Sequence, residues 1–133
     1  MRTIDKTIDG PVDAAVDRTV EALAEAGFGV LTEIDVQATL AERLGEEFRE
    51  YRILGACNPP LAHEALTEDL SVGTLLPCNV VVYGTDDGAV RVSAVDPEAM
   101  LGVMDEPALE PVAAEVAERL ERALDGLVVA PDA

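Results

Sequence analysis

Two cysteines, Cys57 and Cys78, and one histidine, His63, are the only thiols and the only imidazole in a chain otherwise rich in carboxylates. Cys57 opens the run Cys57-Asn58-Pro59. Asn58 offers a side-chain oxygen as a helix N-cap, and Pro59 brings a fixed φ to the first helical position. Cys57 therefore stands at the mouth of a helix N-terminus, where free N–H groups favour thiolate over thiol. Three readings follow. Cys57 and Cys78 can act as soft metal ligands, with His63 and Glu33 or Asp35 completing the shell. Cys57 can be a nucleophile with His63 as its base. Or both thiols are small buried hydrophobes in a domain that binds a ligand or partner without chemistry. The spacings C-x5-H and C-x20-C match no named zinc pattern, so the binding domain is the preferred reading. A thiol, metal or thiol-redox module on Cys57, Cys78 and His63 is the alternative.

The elements that must position these groups read in order along the chain. Residues 1–8 form a strand with Ile4 and Ile8 on one face. Asp9-Gly10-Pro11 starts a helix carrying Val12, Ala15, Val16, Thr19, Val20, Leu23 and Ala26 along one side, and Gly27 stops it. Residues 28–36 alternate as a second strand, Phe28, Val30, Thr32, Ile34 and Val36 against Leu31, Glu33 and Asp35. Two carboxylates on one strand face suit a metal or a general base; a solvated face is the simpler explanation. A short helix over 37–44 is anchored by Leu40 and Leu44 and ends at Gly45.

Residues 49–57 form the strand that ends at Cys57, and the helix after it runs to about Leu70. Pro77 excludes a helix just before Cys78. Asn79 to Tyr83 is a β-branched strand, joined by the turn at residues 84–88 to a partner over 89–95. A helical turn at 98–104 carries Met100, Leu101 and Met104, which suit the core, the lip of a groove or a dimer contact. Pro107 opens the last long helix, with residues 128–133 as a frayed end. The order β-α-β-α-β-α-β-β-α argues for one α+β domain over residues 1–133, its helices mainly on one face of a twisted sheet. No G-x-G-x-x-G or P-loop pattern occurs, so no cofactor is named by a motif.

Charge narrows the partners. Nine basic residues against 27 acidic ones give −18, and Lys6 is the sole lysine. Such a surface repels nucleic acid and anionic membranes. The acids are dispersed rather than gathered in a tail, which suits a protein adapted to high salt. With no apolar leader and no run of roughly 20 apolar residues, a cytoplasmic location is expected, where two cysteines stay reduced.

The segments GFGVLTEIDVQATL, GACNPPLAHEAL, LLPCNVVVY and AVDP, in this order, resemble the domain-of-unknown-function 302 family over nearly the whole chain. Its motif residues map onto Glu33, Asp35, Cys57, Asn58, Pro59, Cys78 and Asn79. The resemblance implies a fold similar to the TATA-binding-protein-like α+β class: a curved, largely antiparallel sheet of about five strands, with two long helices packed on one face. It also implies a homodimer. It implies no reaction, ligand or metal, and the charge opposes DNA binding.

Overall fold

A computed structural model describes residues 2–127. Five strands, β1 (Thr3–Asp9), β2 (Gly29–Asp35), β3 (Tyr51–Cys57), β4 (Cys78–Gly84) and β5 (Ala89–Val95), form one antiparallel sheet in the order β1-β5-β4-β3-β2. Helices α1 (Val12–Glu25), α3 (Pro59–Glu68), α4 (Pro97–Gly102) and α5 (Glu110–Asp125) form a connected layer on one side. A fifth helix, α2 (Val36–Leu44), stands apart from that layer, with β3 as its principal contact. The α+β architecture expected from the element order is the one observed. The fray expected over 128–133 lies outside the described residues.

Strand alternation decides what is buried. Leu54 and Ala56 on β3, Val80 and Val82 on β4, and Val90, Val92 and Ala94 on β5 face the helices and are buried. Leu23 of α1 and Leu120 and Leu124 of α5 close over them from the other side. Each such valine or leucine contributes roughly 1.5–3 kcal/mol by leaving water, and the alanines less, so this layer carries most of the stability. The alternate residues, including Tyr51, Ile53, Val81, Tyr83, Ser93 and Val95, remain part-exposed. The helical layer therefore leaves the opposite face of the sheet uncovered.

Two local expectations need correction. The α2 leucines are not anchors: no residue of this helix is buried, and Leu44 is 67% exposed. Helical periodicity marks an apolar stripe but not whether anything lies opposite it. Gly45 does end the helix, in the left-handed conformation at φ 66°. The helix after Asn58 stops at Glu68, because Asp69 turns extended and caps a following 3-10 turn over Leu70–Leu75; Leu70 itself is exposed. Met100, Leu101 and Met104 pack against the core, so the core reading holds for all three. Among the described residues, no helix is long and apolar enough to cross a membrane.

Candidate functional site

The strand-to-helix corner forms as the sequence suggests. Asn58 caps α3, its Oδ1 accepting from the Leu61 N–H at 3.2 Å, with Pro59 in the first turn. Asn58 is only 7% exposed. Two further residues converge on it that periodicity did not single out. Gly27 has φ +92°, and a Cβ there would lie 3.0 Å from Asn58 Nδ2 and 3.1 Å from Arg119 Nη1. Arg119 donates to the Ala26 carbonyl at 3.4 Å and pairs with Glu115 at 3.2 Å. A glycine ending α1 was legible as a stop signal. That it also admits Asn58 and Arg119 depends on how α1, α3 and α5 meet.

The thiols are neighbours. Cys78 pairs with Ala56 across β3 and β4, one step from Cys57, and both are free. They line one small apolar cavity with Phe28, Asn58, Leu61 and Met100. Its volume is about 30 Å³, on the order of one water molecule. Cys78 is 6% exposed. Burial, and then the nearby Cys57, push its thiol up to about 11, so at neutral pH Cys78 is a protonated core residue. Cys57 is half-buried. In the folded protein Cys57 should therefore alkylate well ahead of Cys78. The Cys78 rate should climb about tenfold per pH unit toward pH 11, as its thiolate fraction grows. Mass-resolved iodoacetamide labelling checks this, and equal slow labelling of both would refute it.

The remaining sequence candidates are dispersed. His63 lies on the exposed side of α3, its carbonyl accepting from Thr67 Oγ1 at 2.7 Å. Asn79 is exposed on the uncovered sheet face, opposite Gly55. No three His, Cys, Asp or Glu residues come together to hold a metal among the described residues. The Cys57–His63–Cys78 shell is not assembled.

Glu33 and Asp35 share a face, but it is the helix-bearing one. Val30 pairs with Ala56 and Thr32 with Gly55, so Leu31 is an extra, bulged residue. Beyond it the alternation shifts by one. Thr32 and Ile34 turn to the open face, while Glu33 and Asp35 follow Leu54 and Arg52 toward the helices. There Arg52 binds Asp13 of α1 at 2.7 Å, Glu33 at 3.2 Å and Asp35 at 3.6 Å. Asp35 Oδ1 also accepts from the Ala38 N–H at 2.9 Å to cap α2. These carboxylates fasten α1, β2 and β3 through one guanidinium.

The uncovered face carries a different constellation. Arg91, Tyr83 and Tyr51 sit side by side on β5, β4 and β3. The tyrosine rings stack at 5.2 Å and 8°, and Phe48 adds a tilted ring 6.2 Å from Tyr51. Three of the chain's four aromatic residues thus form one row. Beside it Asp5 pairs with Arg91 at 3.1 Å and accepts from Ser93 Oγ at 2.6 Å. The Ser93 hydroxyl, helped by Thr3 and Arg91, holds the Asp5 carboxyl below its ordinary range despite some burial.

The family profile described as "Domain of unknown function DUF302" matches residues 4–127, nearly all of the described chain. The chain belongs to the DUF302 family. The fold is similar to a crystal structure of an uncharacterized conserved DUF302 protein from Bacillus stearothermophilus, with a TM-score of 0.87 and 35% identity. The match covers 94% of this chain and 97% of that one. No curated protein matches the sequence. DUF302 membership fixes the fold and assigns no reaction.

Proposed function

We propose that this DUF302 domain is a partner-binding module that assembles as a homodimer and performs no chemistry at its thiols. One observation carries the reading. The aromatic row Phe48–Tyr51–Tyr83 lies on an uncovered sheet face, whereas the cavity between the thiols has room for about one water. Tyrosine and arginine are the side chains that dominate protein interfaces, and here they stand part-exposed in one row. The two free cysteines suit a reducing cytoplasm, and the dispersed acids suit a salt-rich one.

Light scattering in molar potassium chloride should give twice the 14.0 kDa chain mass at micromolar concentration. A monomer mass there would reject the reading. A second reading, a thiol-redox pair, is favoured only by Cys57 and Cys78 lining the same cavity. It requires a Cys57→Ser change to alter more than local stability, whereas the binding module predicts that the dimer mass is retained.

A further inference from the structure

Resting on the homodimer reading, we infer that the occupant of the uncovered sheet face is a second copy of this chain, packed face to face with the two aromatic rows antiparallel. The row has unlike ends. Arg91 stands at the β5 end, with Asp5 its sole ion-pair partner among the described residues; a guanidinium offers five N–H donors. At the other end, Glu46 and Glu47 precede Phe48 and Glu50 follows it in a wholly exposed stretch, residues 41–50, while the intervening Arg49 is already paired with Asp86 at 3.0 Å.

A two-fold axis lying between the sheets and parallel to the strands, midway between Tyr51 and Tyr83, reverses one row against the other. Each Arg91 then meets the acidic Phe48 end of its mate, and the tyrosines meet in the middle. An isologous interface requires this kind of self-complementary pattern. It also brings two chains of charge −18 together where acids are met by a cation, rather than where acids face acids.

The size agrees. Five strands at about 4.8 Å spacing, each seven residues long at about 3.3 Å rise, give a face of roughly 24 by 23 Å. With the α2 arm projecting beside it, that approaches the roughly 800 Å² per partner of a standard interface. Sheets packed this way lie about 10 Å apart with strands nearly aligned, which suits stacked rings.

The test is a concentration series by light scattering in molar potassium chloride, on the wild type and on Tyr83→Glu, Arg91→Glu and Arg91→Glu combined with Glu46→Arg and Glu47→Arg. Circular dichroism confirms the fold of each. Tyr83→Glu and Arg91→Glu should each weaken the dimer at least tenfold, and the combined variant should recover most of the Arg91→Glu loss. Should a variant misfold, the wild type still decides. The chain has two tyrosines and no tryptophan, so its near-ultraviolet dichroism reports on this row and should change at the same concentration as the mass. A dimer indifferent to all the variants, or a dissociation silent in the tyrosine signal, overturns this interface while leaving the homodimer standing. A wild-type monomer throughout overturns both.

Discussion

Gly55→Ala should cost about 1–3 kcal/mol of stability, as overpacking does, and lower Tm by on the order of 5–10 °C. A Cβ at this position would lie 2.3 Å from Thr32 Oγ1 and 2.8 Å from Pro77 Cγ. The threonine hydroxyl can move by rotating; the proline ring cannot. Gly29 on the neighbouring strand supplies the control. A Cβ there meets nothing within 4 Å, so Gly29→Ala should stay within about 0.5 kcal/mol of wild type. Adding Thr32→Ala to Gly55→Ala should recover part of the loss, because the two residues share the clash. Thermal melts of the four proteins decide the matter. Equal effects at Gly55 and Gly29 would mean that strand propensity, not the Thr32–Pro77 contact, is being measured.

The second large effect is expected at Arg52. Arg52→Met keeps most of the side-chain stem but leaves Asp13, Glu33 and Asp35 facing one another with no cation between them. The Arg52 side chain is 20% exposed and its partners more so. The loss should therefore fall between the surface and buried limits for ion pairs, roughly 1–3 kcal/mol. Its signature is salt. At 1 M the screening length is about 3 Å, so the deficit should shrink in molar potassium chloride, on top of a general rise in Tm as the −18 charge is screened. A second change, Glu33→Gln, should return part of the deficit at low salt. A deficit unaltered by salt would locate the loss in packing instead, and a wild-type Tm flat across the series would remove the high-salt adaptation.

Much of this fold is legible in the chain. The apolar stripe of α1, the Asn58–Pro59 start of α3, the hairpin turn between β4 and β5 and the helix-facing alternation of Val90, Val92 and Ala94 all follow from short-range periods and turn chemistry. What resists reading is what depends on partners distant in sequence. Residues 28–36 alternate so regularly that a single period of two looks sufficient; the bulge at Leu31 breaks it because β3 offers one residue fewer. Arg52 falls at an ordinary strand position, and nothing local marks it as the cation for Glu33, Asp35 and Asp13. Tyr51 and Tyr83 are 32 positions apart and become a stack only through the β3–β4 register. For the candidate site, the chain revealed the cap and the Cys57 corner. It did not reveal that His63 turns away, since helical periodicity alone does not fix which side of α3 meets the sheet.

The looped-out Leu31 gives β2 a spare link. Its neighbours Val30 and Thr32 pair with consecutive residues of β3, so the ladder closes around it as though it were absent. The removal of this one residue would leave every later side chain of β2 on the side it already occupies, Glu33 and Asp35 still beneath Arg52. Losing Thr32 instead has the same outcome, because Leu31 then takes its place opposite Gly55, whereas losing Ile34 turns either Glu33 or Asp35 to the open face. Chain length is thus free to shorten by one between Val30 and Glu33 and held fixed between Glu33 and Asp35, a boundary between silent and disruptive deletions set by a single unpaired position.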